Sequence, residues 1–332
     1  MKRALVKPRS LGALIITPVL FAASVSAADA WAQTKIPRIG VLAAGPPTEY
    51  PTARWLEVFR RGLAAQGWIE GRTVSLELRG GNPAQFAEDA AELVRIKVDV
   101  VFTMGAGAVR AASAATREIP IVGVDYTTDP LAAGYAKSYG RPGGNVAGIF
   151  LDAPDFSAKW LELLRGIVPK LSRVAVLRDP SIGDTHLRAL QGHAASVGVQ
   201  LQVVEVRTPE DIDAAASAFR GDPQALIVLP SPMIYVQSPR LVKLAMKTRL
   251  PATSMAIPFG EAGGLLAYGP DDDAVVERGA VLVAKILAGA KPGDLPIERP
   301  TKFELVVNLK AAKALNLTIP ESVLTRADRV IR

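Results

Sequence analysis

A repeated order of strands and helices is the feature that most constrains this chain. The run Arg38-Ile39-Gly40-Val41-Leu42 returns, conservatively changed, as Arg173-Val174-Ala175-Val176-Leu177. Each copy is followed by a helical stretch, a strand, a second helical stretch and a buried strand, which is Val98–Thr103 after the first copy and Ala225–Leu229 after the second. Short β-branched runs that alternate with helices indicate parallel sheets built from βαβ units. The repeat therefore predicts two similar α/β lobes.

The geometry of such lobes predicts where a ligand binds. Connections in parallel sheets are right-handed, and ligands collect at the carboxyl ends of the strands. Two sheets that face each other would form a cleft between these ends. The turns that follow the predicted strands are therefore the first places to look for a site.

The N-terminal residues differ from the rest of the chain. Lys2, Arg3, Lys7 and Arg9 lead into the apolar run Leu11–Ala23, and small residues follow. This is the pattern of a secretory signal peptide over residues 1–32, with cleavage after Ala28, Ala30 or Ala32. The apolar run is well below the ~20 residues that a membrane span requires, so we expect the mature protein not to span the membrane and to be periplasmic.

Charge and cysteine content exclude several kinds of partner and site. Without residues 1–32 the chain keeps 35 Lys and Arg against 31 Asp and Glu, a net charge of +4, and it shows no basic stripe interleaved with aromatic residues. We therefore expect no binding to nucleic acid. The sequence has no cysteine, which excludes disulfides, thiolate metal sites and a lipid-modified cysteine.

The familiar signatures of catalysis are missing from the sequence. There is no Gly-x-Ser-x-Gly, His-Glu-x-x-His or phosphate-binding Walker motif. The two histidines, His186 and His193, lie seven positions apart on one predicted helix, roughly 10 Å along its axis, which is too far for one metal ion. We interpret both as surface residues, and we expect no catalytic residue, no metal and no cofactor.

The best candidate anchor lies in the first lobe, where a buried strand runs into Met104-Gly105-Ala106-Gly107. Free amides at a helix start attract a carboxylate or phosphate, and glycines let a ligand approach the backbone. Ordinary turn chemistry is an equally good explanation of these glycines.

Asp125 and Tyr126 follow the next predicted strand, also at its carboxyl end. Asp125 could hold a ligand ammonium, and Tyr126 could stack on an apolar or aromatic group. The alternative leaves Asp125 solvated, with Asp129 capping a helix that begins at Pro130.

Other turns complete the predicted ligand-binding set. These residues follow predicted strands in both lobes, and each could instead cap a helix or fill a core: Ala44, Gly45, Pro46, Phe150, Asp179, Ser231 and Ser254.

Several stretches together resemble one family, the substrate-binding proteins of ABC transporters in the group that includes tryptophan- and tyrosine-uptake proteins. The stretches are Pro37–Leu42, Gly67–Arg72, Arg141–Gly148, Leu171–Leu177 and Pro300–Lys310, and the resemblance covers residues 36–332. Members commonly carry Gly-Thr-Pro or Gly-Ser-Pro where this chain has Gly105-Ala106-Gly107.

The resemblance implies a fold and a domain arrangement. The fold would be the type I periplasmic-binding fold: α/β, with two Rossmann-like lobes whose parallel sheets are joined by a hinge that the chain crosses several times. The N-terminal lobe would contain residues 36–150 plus about 271–300, and the C-terminal lobe residues 151–270 plus about 301–332.

The function implied is that of an exported receptor in an ABC importer. We expect a monomer that performs no chemistry, binds a small carboxylate-bearing or amino-acid-like ligand between its lobes, and delivers it to an ABC permease with its ATPase. Two alternatives remain: a sensory protein that presents the ligand to a receptor, and an exported two-domain enzyme with its active site in the same cleft.

Overall fold

The computed structural model describes residues 36–151 and 156–332. The predicted signal peptide, residues 1–32, lies outside the described residues. Within the described ranges, no helix is both long and apolar enough to cross a membrane.

The first lobe is built on a six-stranded sheet in which every pair of neighbouring strands is parallel. The strands are β1 (Arg38–Ala43), β2 (Ser75–Gly80), β3 (Val100–Met104), β4 (Ile121–Asp125), β5 (Val146–Phe150) and β11 (Ile297–Glu298). Their order in the sheet is β11-β5-β4-β3-β1-β2.

The second lobe is built on a seven-stranded sheet in the order β13-β12-β10-β9-β8-β6-β7. Only the pair β10 and β12 is antiparallel. The strands are β6 (Arg173–Arg178), β7 (Gln200–Glu205), β8 (Ala225–Val228), β9 (Ala252–Ser254), β10 (Leu266–Pro270), β12 (Phe303–Asn308) and β13 (Arg329–Ile331).

Twelve α-helices are formed by the described residues. They are α1 (Thr52–Ala65), α2 (Phe86–Arg95), α3 (Ala106–Ala115), α4 (Phe156–Ile167), α5 (Thr185–Ser196), α6 (Pro209–Ala214), α7 (Pro232–Val236), α8 (Ser238–Thr248), α9 (Ile257–Glu261), α10 (Asp272–Leu287), α11 (Leu309–Ala314) and α12 (Glu321–Leu324).

The sequence repeat corresponds to a repeat of topology. Its two copies are β1 and β6, and the order β2-β1-β3-β4 in the first sheet is matched by β7-β6-β8-β9 in the second. The prediction of an α/β fold with two mostly parallel sheets is confirmed. Because all these strands are parallel, the turns after β1, β3 and β4, and those after β6, β8 and β9, lie at the carboxyl edges of their sheets.

The chain passes between the two sheets more than once. After β10 it continues into α10, which packs on α1 and on β3, β4 and β5, and then into β11 of the first sheet. Gly279 of α10 permits this packing, because a Cβ there would lie 2.6 Å from the ring of Phe102. On these crossings we propose, as the resemblance implies, that residues of about 271–300 belong to the first lobe.

Each lobe has its own aromatic core. In the first, Phe59 of α1 stacks on Phe102 of β3 at a centroid distance of 4.3 Å. In the second, Trp160 of α4 is fully buried, and its indole Nε1 donates to the carbonyl of Tyr268 at 2.8 Å.

Candidate ligand-binding site

A cavity lies where the carboxyl ends of the two sheets meet, and we call it the cleft cavity. The space between its lining atoms is about 520 Å³, open solvent at its mouth included. The lining is mostly apolar and comes from both lobes: Ala44, Trp55, Met104, Gly105, Ala106, Val124, Asp125, Tyr126, Thr127, Pro230, Ser231, Pro232, Tyr235, Val236, Met255 and Asp272.

The turn between β3 and α3 forms one end of the cleft cavity. Gly105 adopts φ 95° and ψ 153°, a conformation that strongly favours glycine, and its amide donates to the carbonyl of Val124 at 2.7 Å. No described side chain caps α3, and its N-terminal residues Gly105 and Ala106 line the cavity, which places the positive end of the helix dipole there. Pro232 of the second lobe covers the turn, since a Cβ on Gly105 would lie 3.0 Å from its ring.

Asp125 ends β4 with a carboxylate that is almost completely buried. The residue is 1% exposed, and its Oδ1 accepts from the backbone amide of Thr127 at 2.8 Å and from the Thr127 hydroxyl at 3.0 Å. Its Oδ2 accepts no hydrogen bond of good geometry from the described residues. Burial raises the pKa of Asp125, and the neighbouring Thr128 and Thr127 partly oppose the rise.

A second buried carboxylate, Asp272, stands in the first turn of α10. The Tyr126 hydroxyl donates to its Oδ1 at 3.2 Å, and the Tyr235 hydroxyl donates to its Oδ2. Burial raises the pKa of Asp272 to about 7, although both tyrosine hydrogen bonds act in the opposite direction. Burial and the nearby Asp272 charge raise the pKa of both tyrosines well above 10, so they remain donors.

The lobes contact each other directly around the cleft cavity. The rings of Trp55 on α1 and Tyr235 on α7 have centroids 5.5 Å apart. His186 on α5 lies 3.2 Å, through its Nε2, from the carbonyl oxygen of Tyr126. Burial lowers the pKa of His186, which keeps the ring neutral and lets Nε2–H donate to this carbonyl. The structure thus has its lobes closed on each other.

Two further spaces adjoin the cleft cavity. A polar chamber shares Trp55 and Asp272 with it, and its other lining residues are Tyr50, Arg54, Ile257, Pro258, Glu261, Asp271, Asp273, Glu304 and Arg329. A wide groove shares Ala44, Pro232 and Val236 with it and includes Arg110, Asp179, Arg207 and Glu210.

Seven of the residues predicted from sequence line the cleft cavity. They are Ala44, Met104, Gly105, Ala106, Asp125, Tyr126 and Ser231. Ser231 also caps α7, because its Oγ accepts from the amide of Ile234 at 3.0 Å.

Six predicted residues are not part of that lining. Two of them, Gly107 and Asp179, line the wide groove instead, and a Cβ on Gly107 would face Phe86 of α2. Phe150 is fully buried in the first-lobe core. Ser254 is 2% exposed and uses its Oγ to accept the amide of Ala256.

The remaining two, Gly45 and Pro46, lie just beyond Ala44. Gly45 is buried, and a Cβ there would lie 2.4 Å from the Thr52 hydroxyl and 3.3 Å from Val236. Pro46 is half-buried. The small size of Gly45 therefore serves the packing of α1 and the second lobe.

The interpretation of both histidines as surface residues was wrong for His186, which is 4% exposed. Among the described residues no group of three or more His, Asp or Glu side chains is arranged to hold a metal ion.

Sequence reasoning missed most of the aromatic and acidic wall of the cavity. The missed residues are Trp55, Val124, Thr127, Pro230, Pro232, Tyr235, Val236, Met255 and Asp272. Asp272 had a signal in the acidic triplet Asp271-Asp272-Asp273, but these residues stand at the start of α10, where an acidic residue also suits a cap. The sequence gives no signal that Trp55 and Tyr235 line a site, because apolar helix positions ordinarily predict a core.

The fold and cleft define a class of protein. Two α/β lobes that close over a cavity at their strand ends form a type I periplasmic-binding fold, which holds a small ligand between the lobes. Residues 54–331 match the family model described as ABC transporter substrate binding protein. The chain belongs to this family.

Individual relatives agree with this assignment. The chain is 26% identical over 265 residues to a tyrosine-binding protein of Clostridioides difficile, covering 78% of this chain and 75% of the relative. A structure from Streptococcus pneumonia in complex with L-Trp has 25% identity and a TM-score of 0.80, covering 89% of this chain and 99% of that one. A conserved domain protein from Vibrio cholerae has 27% identity and a TM-score of 0.79, covering 89% and 100%.

Proposed function

We propose that this protein is an exported solute-binding receptor of an ABC importer, which holds a small amine-bearing solute of amino-acid size between its lobes. Asp125 carries this proposal. Its carboxylate is 1% exposed, lines the cleft cavity, and leaves Oδ2 without a well-formed hydrogen bond from the described residues. A buried carboxylate oxygen without a well-formed hydrogen bond is costly, and a ligand ammonium would supply a charge-assisted donor.

Ligand binding and lobe closure are coupled in this proposal. The cavity takes lining residues from both lobes, so a ligand in it contacts both at once and favours the closed arrangement. The contacts of Trp55 with Tyr235 and of His186 with Tyr126 cross the cleft and form together with closure. A permease with its ATPase would then recognise the closed protein.

The relatives support the ligand size, and the family description supports the transport role. Two of them are named for tyrosine binding and for a complex with L-Trp. The N-terminal pattern of a basic segment, an apolar run and small residues supports export.

A binding screen tests the receptor role. The purified protein is heated with each of the amino acids and with simple aromatic and aliphatic amines, and hits are measured by calorimetry. A ligand at 100 times its Kd raises the free energy of unfolding by about 2.7 kcal/mol, so true ligands give a clear rise in melting temperature. The absence of any hit in either class would contradict the proposal, as would conversion of a hit into a product.

Cells that lack the gene provide the test of transport. We expect them to take up the labelled hit more slowly than the parent strain, with recovery on complementation. Equal uptake by both strains would remove the importer role and favour a sensory one.

A further inference from the structure

The charged groups of the cleft cavity all have one sign. Asp125 and Asp272 line it, and among the described residues no Lys, Arg or His does. We infer that its preferred ligand is an organic cation, an amine without a free carboxylate on an apolar or aromatic body. This rests on the proposed function and narrows its substrate class.

Both carboxylates are placed to favour a cation. Asp125 is 1% exposed and offers Oδ2, while Asp272 is 8% exposed and is held by two tyrosine hydroxyls. A zwitterion would bring a third carboxylate into the same apolar space. A monocation would offset the buried charge without adding to it.

The aromatic rings suit the same ligand. Trp55 and Tyr126 come from the first lobe and Tyr235 from the second, and all three line the cavity. Electron-rich ring faces attract ammonium groups, most strongly where water is excluded. The remaining lining is largely apolar and would hold the body of the ligand.

One element of the cavity attracts anions, but other protein groups already bond or cover most of it. This is the start of α3, where the Gly105 amide is already bonded to Val124 and the turn is covered by Pro232. Gly107 faces Phe86 and does not line the cleft cavity, which leaves Ala106 as the helix residue at this end. A ligand carboxylate here would lie in the same cavity as Asp125.

The polar chamber that adjoins the cleft cavity also has more acidic than basic residues. Apart from Asp272 it contains four acidic residues and two arginines, and Arg54 is paired with Asp273 while Arg329 is paired with Glu261 and Glu304. Such a field attracts approaching cations and repels anions.

Matched pairs of compounds test the inference. Calorimetry compares tryptamine and L-tryptophanamide with L-tryptophan, and tyramine and L-tyrosinamide with L-tyrosine. The amides keep the shape of the amino acid and replace its carboxylate with a neutral carboxamide, and the amines tryptamine and tyramine lack this group altogether. We expect each cation to bind at least tenfold more tightly than its amino acid.

The outcomes separate this inference from the proposed function. If the amino acids bind as tightly as the cations, or more tightly, the inference is wrong and the receptor role stands. If no amine and no amino acid binds, both are wrong.

A substitution ties the preference to the site. Asp125→Asn should reduce the ratio between cation and amino-acid affinities by about tenfold, because it removes one of the two charges. Asp213→Asn makes the same chemical change on an exposed carboxylate of α6 and should leave the ratio unchanged. An unchanged ratio in the folded Asp125→Asn protein would overturn the inference.

Discussion

The two walls of the cleft differ in kind. The first lobe contributes Asp125, whose Oδ2 accepts no well-formed hydrogen bond from the described residues. The second contributes Pro230, Pro232 and other apolar side chains, and its polar groups are already engaged. The Ser231 hydroxyl caps α7, and the Tyr235 hydroxyl donates to Asp272. From this difference we propose that the first lobe recognises the ligand while the second covers it and excludes water.

Among tests of this difference between the walls, Asp125→Asn should cause the largest loss of ligand affinity. We expect affinity for an amine ligand to fall about 100-fold, because a charge-assisted hydrogen bond in a buried site is lost. The melting temperature of the free protein should not fall, since a neutral amide costs less to bury than a carboxylate. Calorimetry and thermal unfolding measure both quantities. A loss below threefold would show that the first lobe does not carry recognition.

The pH dependence of binding should come next in size. Asp272 has a pKa of about 7, so it loses its charge as the pH falls, and an amine must then bind against its protonation. We expect affinity to weaken by up to tenfold between pH 8 and pH 6, with proton release on binding. In the Asp272→Asn protein, ligand affinity should change less between pH 8 and pH 6.

The stability of the free protein should show the opposite pH trend. Since burial raises the pKa of Asp272 above its usual 3.8, the folded protein holds a proton that the unfolded chain has released. The protonated Asp272 carboxyl group therefore contributes to the free energy of unfolding below pH 4, and this contribution is lost as the pH rises through 7. Denaturant unfolding from pH 4 to pH 8 checks the Asp272 contribution as the difference between the parent protein and the Asp272→Asn protein.

Tyr235→Phe should have a smaller effect, because it removes one hydrogen bond of the covering lobe. We expect affinity to fall about threefold to tenfold. Tyr268→Phe is the matched control, since its ring stacks on Phe156 in the second lobe and lies outside the cleft cavity. A loss for Tyr235→Phe as large as that for Asp125→Asn would erase the difference between the two walls.

The smallest effect on binding should come from Ser254→Ala. Ser254 ends β9 in the second lobe but does not line the cavity, so affinity should change less than twofold. Stability should fall by about 1 kcal/mol, because the buried amide of Ala256 loses its acceptor. A large loss of affinity would place the ligand beyond the cavity described above.

Much of the site could be predicted because it follows from parallel sheets. Ligand-facing turns lie at the carboxyl ends of strands, and this rule located Met104–Ala106, Asp125 and Tyr126. The same rule also selected Phe150 and Ser254, which the cores and local turns use instead. A position at a strand end predicts the edge of the sheet at which a residue lies. It does not predict whether the side chain points into the cavity or into the core.

The sequence by itself determined that there are two lobes and that the candidate site lies at the carboxyl edges of their sheets. Strand and helix periodicity is local, and its repetition at β1 and β6 required only the order of residues. The tertiary structure decided how the cavity closes. Tyr126 and Tyr235 meet on Asp272 from 146 and 37 positions away, and Trp55 reaches Tyr235 across the cleft. No local pattern encodes such meetings, because they depend on how the lobes are oriented once both have folded.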